Sequence, residues 1–210
     1  MATDILADAI GGVLAQRERD LRDEQAVYGL DSLDELRLHD VLASGLASEF
    51  GVTREVHYPS SVGKKLSHRA RCDLVLTPHG RSLKLDSKPA TLFDPADACS
   101  PDEAMWLEVK AAYQFRGPDE RHGGYGAQWR GGVVRDLQKM EAEPLIRHAA
   151  LLLIVFTQDE AIVAKDLDLF ETVLVQKEVL AGFRQARTIR IQDRIGHHCC
   201  TAALWPTIAR

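Results

Sequence analysis

An aspartate stands alone among apolar residues in Cys72-Asp73-Leu74-Val75-Leu76. An acid and a lysine stand two apart in Leu107-Glu108-Val109-Lys110. Ionised groups inside apolar runs are costly to bury unless they are paired or used. The period-2 alternation of a strand puts Glu108 and Lys110 on one face and Leu107, Val109 and Ala111 on the other. Two carboxylates from neighbouring strands suit a hard divalent cation. Mg²⁺ takes one or two carboxylates, keeps several waters and binds phosphate oxygens. A lysine beside such a cation can orient a water for attack or ease its deprotonation. A third acid, Glu35, falls on one helical stripe with Leu38, Leu42 and Leu46, and Glu49 falls near the same stripe at its far end. Ser32 and Glu35 also have capping-box spacing, which gives Glu35 an alternative, purely structural role.

These side chains need elements to position them. Residues 3–25 read as a helix with Ile5, Ile10, Val13, Leu14 and Leu21 apolar, ended by Gly29. A second helix is expected over about 32–50, stopped by Gly51. Strands follow over 52–58 and 71–77, joined by a loop with Lys64 and Lys65. Residues 86–103 read as a Pro/Asp/Ala-rich surface excursion. A third strand spans 105–115 and a helix about 128–142, with Gly123-Gly124-Tyr125-Gly126 as a flexible loop between them. Residues 149–156 form an unbroken apolar strand, expected to be buried on both faces. A helix over 166–185 with Leu169, Val173, Leu180 and Phe183 inward, then one or two strands over 188–205, complete an α/β chain with a mixed sheet. Residues 1–30 read as a helical extension and 31–210 as one domain.

With Asp73 followed after 35 positions by Glu108-Val109-Lys110, the chain resembles the PD-(D/E)XK nuclease superfamily, the restriction-endonuclease-like fold. The resemblance spans about 32–156 and includes the order of elements: a helix carrying an acid, three strands, a helix and a strand. It implies an α-β-β-β-α-β core, Asp73 and Glu108 as Mg²⁺ (or Mn²⁺) ligands, Lys110 as the catalytic lysine, and Glu35, before Glu49, as the helix acid. Gln128, Asp136 and Lys139 are candidates for polar residues of the following helix that face the site. Lys64, Lys65, Arg71, Gln128, Arg135 and Lys139 are candidates for nucleic-acid contacts. Two features depart from the pattern. Cys72 stands where proline is usual, and the spacer is long, an excess assigned to the 86–103 insertion. The implied activity is metal-dependent hydrolysis of phosphodiester bonds in nucleic acid, DNA foremost.

Composition bounds these readings. The 210 residues are 45% hydrophobic and 27% charged, with a net charge of −5. That is globular usage, and it excludes disordered, collagen-like and disulfide-scaffold classes. The whole molecule is no basic nucleic-acid binder, but its charge is uneven. Residues 1–50 hold four basic against eleven acidic groups, while 51–81 hold six against two and 109–150 seven against five. The two basic windows flank the acids, as expected where a polyanion meets bound metal. No apolar run reaches the ~20 residues of a membrane span. Residues 1–10 lack signal-peptide features, so a cytoplasmic protein with reduced, mostly buried cysteines is expected. His197-His198-Cys199-Cys200 cannot close one tetrahedral zinc site if the four alternate along a strand, and two surface and two buried positions are expected. Tyr125 and Trp129 are core or rim aromatics before they are base-stacking platforms, and Glu55 faces solvent or pairs with Arg54 or Arg71 before it binds metal. No GxSxG or HExxH motif supports a serine-hydrolase or zinc-protease class. A non-catalytic module whose acidic first helix dimerises or docks a partner, and an enzyme acting on a small phosphorylated molecule, are the alternatives.

Overall fold

The computed structural model describes residues 2–61, 70–85, 97–118 and 120–208, without the side chains of Ser61 and Gln128. Its elements in chain order are α1 (Thr3–Asp23), α2 (Glu35–Leu46), β1 (Phe50–His57), β2 (Arg71–Pro78), β3 (Ser82–Leu83), β4 (Ala98–Cys99) and β5 (Met105–Tyr113). Then come β6 (Phe115–Gly117), β7 (Glu120–Arg121), α3 (Tyr125–Glu141), β8 (His148–Thr157), α4 (Glu160–Gln176), β9 (Gln185–Arg190) and β10 (Cys199–Pro206). Six strands form one mixed sheet in the order β1-β2-β5-β8-β10-β9. β1, β2 and β5 are antiparallel neighbours. β5 and β8 are parallel, joined by the crossover helix α3 that a parallel pair requires. β8, β10 and β9 are again antiparallel. This is a mixed α/β fold.

The sheet has helices on both faces. Leu74, Leu76, Leu107, Val109, Leu152, Ile154 and Phe156 pack with Leu6, Ile10 and Leu14 of α1 and Leu38 and Leu42 of α2. Val75, Trp106, Leu151, Leu153 and Val155 pack with Val133 and Leu137 of α3 and Val163, Leu167 and Phe170 of α4. β8 is the shared middle: every residue from Ala149 to Phe156 is buried, which explains its unbroken apolar sequence. All four cysteines are free and buried. Among the described residues no helix is long and apolar enough to cross a membrane.

Several element boundaries differ from the sequence expectation. α1 ends at Asp23, well before Gly29, because Gln25 takes the left-handed conformation (φ 52°). The Ala26 amide then bonds back to the Leu21 carbonyl, closing the C-terminus as a glycine would. α2 starts at Glu35 rather than 32. Leu30–Ser32 forms a separate 3₁₀ turn, and Asp34 is the N-cap, accepting from the Arg37 amide at 2.8 Å. The Ser32/Glu35 capping box therefore does not form, and the Glu35 carboxylate is left for other partners. α2 also stops at Leu46, before Gly51, which lies inside β1. α4 lies at 160–176, not 166–185, because Asp159 caps it by accepting from the Ile162 amide at 2.9 Å. Its inward residues are Val163, Leu167, Phe170 and Leu174. Leu169, Leu180 and Phe183, expected inward, are exposed.

Residues 86–96 lie outside the described residues. In the described part of the expected excursion Asp97, Asp102 and Glu103 are exposed, but the segment is tied into the fold. Cys99 is buried, β4 pairs with β3, and the Trp106 indole donates to the Pro101 carbonyl at 2.8 Å. This tie brings β5 into register with β2 despite the long spacer, with Leu74 opposite Leu107.

Candidate active site

β2 and β5 pair only from Leu74–Leu107 to Leu76–Met105, and then part. Beyond this point two β5 amides are taken by carboxylates from other elements. Asp73 Oδ2 accepts from the Val109 amide at 2.8 Å, and Glu35 Oε2 accepts from the Ala111 amide at 3.1 Å. Hydrogen bonds to a charged acceptor are worth about 1.5–3 kcal/mol, so both acids are held by backbone rather than by flexible partners. The turn before α2 is fixed to the same strand, because the Tyr113 hydroxyl donates to the Leu33 carbonyl. The parting coincides with an irregularity in β1. Ladder pairs form at Arg54–Leu74 and Val56–Cys72, but none forms between Glu55 and Asp73, and Glu55 has φ 52°. Cys72 joins the core beneath α3 while Leu74, two residues on, joins the core beneath α1 and α2. In a regular strand these two would share a face.

Glu108 is 2% exposed. Its Oε1 accepts from the Tyr58 hydroxyl at 2.6 Å and lies 2.6 Å from Lys139 Nζ on α3. Burial, reinforced by the negative charge of Asp73, pushes its carboxyl up to about 7 against the pull of Lys139 and Tyr58. Burial also raises Asp73, opposed by the Val109 amide and the Lys110 charge. Lys110 Nζ lies 3.4 Å from Glu35 Oε1, 3.5 Å from Asp136 Oδ2 and 3.1 Å from its own strand's Val109 carbonyl. Burial disfavours the Lys110 ammonium, but Glu35, Asp136, Asp73 and Glu108 outweigh it and hold its pKa above the usual lysine value. Lys139 is raised in the same way, burial being overcome by Glu108 and Asp136. Four acids thus surround two lysines, a local excess of negative charge that a divalent cation would offset.

The structure brings Asp73, Glu108, Lys110 and Glu35 together, and adds Asp136 and Lys139 from α3. Glu49 is not among them. It is exposed beyond the far end of α2, in the groove between α1 and α2. Lys139 points into the site rather than outward. Arg71 is exposed with Nη1 3.8 Å from Glu55 Oε2, and Arg135 is exposed on α3. Lys64 and Lys65 lie outside the described residues, as does the Gln128 side chain. Sequence reasoning missed Tyr58 and His39. A signal for His39 existed: it lies four residues after Glu35, on the same helix face. It is buried, and burial holds its imidazole below the usual range.

The other sequence motifs resolve as structure. Of His197 to Cys200 only His198 is exposed; the other three are buried, not two of four. β10 begins at Cys199, so the two histidines precede the strand and strand alternation does not apply to them. His197 Nε2 accepts from the Phe115 amide at 3.0 Å, which leaves Nδ1 to donate to Asp31 Oδ2 at 3.0 Å. Gly124 precedes α3, and Tyr125 and Gly126 are already helical, so only the first half of the glycine run is loop. Trp129 is buried with its ring 5.0 Å from Phe170, a core position. In comparisons with family models, curated proteins and solved structures, the chain matches none of them.

Proposed function

We propose that the protein is a metal-dependent phosphodiesterase of the PD-(D/E)XK type acting on nucleic acid, DNA foremost. The carrying observation is that Asp73 on β2, Glu108 and Lys110 on β5 and Glu35 on α2 meet where β2 and β5 part. The element order α2-β1-β2-β5-α3-β8 supports the same reading, since it is the order that the resemblance implies.

The residues fit a divalent cation. Burial raises both Asp73 and Glu108 in the free protein, and the Asp73 charge raises Glu108 further, the mark of crowded, desolvated carboxyls. Asp73 and Glu108 would hold Mg²⁺, with Glu35 as a further ligand. When bound, the cation would neutralise the scissile phosphate and make a nearby water more acidic. The protein's own groups do the rest. Lys110, fixed between Glu35 and Asp136, directs its ammonium protons at the attacking water and holds it for in-line displacement. Lys139 neutralises Glu108 in the free protein, and Arg71 and Arg135 offer exposed positive charge to the phosphate backbone.

The test is cleavage of duplex DNA with Mg²⁺ or Mn²⁺. Lys110→Ala should lower the rate by at least about 10²-fold with the fold intact by circular dichroism. Cleavage by that variant at the wild-type rate refutes the mechanism. A second reading, an interaction module without catalysis, draws on a groove of about 920 Å³ between α1 and α2. It is lined by Ala9, Val13 and Val41 and edged by Asp8, Asp40 and Glu49. Cation-dependent thermal stabilisation that is lost in Asp73→Asn favours the enzyme; indifference to Mg²⁺ and Mn²⁺ favours the module.

A further inference from the structure

His39 is 2% exposed, and neither of its ring nitrogens has a hydrogen-bond partner. Leu38, Leu42 and Leu46 fill the neighbouring inward positions of α2 with aliphatic side chains, so an apolar residue would suit packing at this depth. A buried imidazole left unpaired calls for an explanation, and an absent ion is one. Its Nε2 lies 4.0 Å from Asp73 Oδ2. The carboxylate of Glu55, on β1 opposite Asp73, completes a triangle in which one ligand atom from each residue lies within 4.8 Å of the others. Ligand atoms on opposite sides of a small dication stand roughly 4 Å apart, since each bond is about 2.1 Å. Small side-chain rotations would therefore close this triangle around an ion. Asp73 keeps its Val109 amide bond in this arrangement. Glu55 is half-exposed and gives access from solvent, its present partner being the exposed Arg71 at 3.8 Å.

We infer that His39, Glu55 and Asp73 form a second cation position, on the β1 side of Asp73, that takes a first-row transition-metal dication such as Mn²⁺ or Zn²⁺ in preference to Mg²⁺. The donor set decides the metal. Carboxylates serve Mg²⁺ and Mn²⁺ alike, but an imidazole nitrogen favours transition metals over Mg²⁺. Glu108 is not part of this set. It is held by Tyr58 and Lys139, and Asp73 is the one residue common to both positions. The inference deepens the proposed function by naming the metal, and rests on it only through Asp73.

The experiment titrates metal-free protein with Mn²⁺ alone and Mg²⁺ alone by calorimetry. It then records pulsed electron paramagnetic resonance of the Mn²⁺-loaded protein for nitrogen modulation. Mn²⁺ should bind at least about ten-fold more tightly than Mg²⁺ and show a histidine nitrogen. His39→Gln should abolish the nitrogen signal and weaken Mn²⁺ by about ten-fold or more, leaving Mg²⁺ within about two-fold. Glu55→Gln, a half-exposed position where folding is not at stake, should weaken Mn²⁺ comparably, and Glu108→Gln should keep the nitrogen signal. Mn²⁺ bound without nitrogen coupling, but lost in Glu108→Gln, overturns this inference and spares the nuclease reading. Failure of both metals to bind overturns both.

Discussion

Glu108 makes the free protein sensitive to pH. Its carboxyl titrates near 7 when folded against an ordinary value of 4.5. Between those values the folded state binds more protons than the unfolded state, so stability is fullest below about pH 4.5 and is lost as pH rises through 7. The size is on the order of 3 kcal/mol, at about 1.4 kcal/mol per pKa unit between those two values. Metal-free Glu108→Gln should therefore melt several degrees above the wild type at pH 8, at about 2–4 °C per kcal/mol for a chain of this size, and match it near pH 4.5. Melting curves that shift with pH in parallel for the two proteins would show that Glu108 is not the titrating group. At this scale the acids and Lys110 were legible because ionised groups in apolar strands stand out. Tyr58 was not, because a tyrosine at the end of an amphipathic strand looks like ordinary packing until its hydroxyl is seen 2.6 Å from Glu108.

The start of α2 decides where Glu35 points. Asp34 caps the helix through the Arg37 amide, and the next residue places its carboxylate on the Ala111 amide of β5. Asp34→Ala should cost about 1 kcal/mol in urea denaturation, and Asp34→Asn, which can still accept that bond, should cost little. The alanine variant should also bind cation more weakly, since a frayed first turn releases Glu35; unchanged binding with reduced stability would separate the cap from the site. The sequence placed this helix and its stripe but chose the wrong cap. Ser32 and Asp34 are both good capping residues, and the choice depended on the 3₁₀ turn at Leu30–Ser32 and on Tyr113 anchoring Leu33. α4 carries the same lesson. Its apolar residues allow more than one inward face, and the cap at Asp159 together with the sheet surface selected Val163, Leu167, Phe170 and Leu174.

β8 ties the two faces of the molecule together. Leu152 lies in the core with α1 and α2, and Leu153 in the core with α3 and α4, both fully buried. Leu152→Ala and Leu153→Ala should each cost about 2–5 kcal/mol. Each should lower one common unfolding transition, because the layers share a single sheet; two resolved transitions in calorimetry would show that the faces unfold independently. α1 is bound to the far end of the same sheet by Leu6, Ile10 and Leu14, and by the buried pair of Glu18 and Arg194 at 3.2 Å.

Residue chemistry and local periodicity were sufficient to read the alternation of helices and strands, the doubly buried strand at 149–156, and the acids and lysine of the candidate site, because each leaves its mark within a few neighbouring positions. Tertiary structure alone decided that β2 and β5 part after Leu74, that Asp73 and Glu35 take the amides so released, and that Glu108 takes both Tyr58 and Lys139 as partners. It also left His39 buried without a hydrogen-bond partner beside Asp73. Those outcomes depend on where strands separate and on which charges lose their water together. They are set by contacts between residues far apart in the chain, so no local window of sequence contains them.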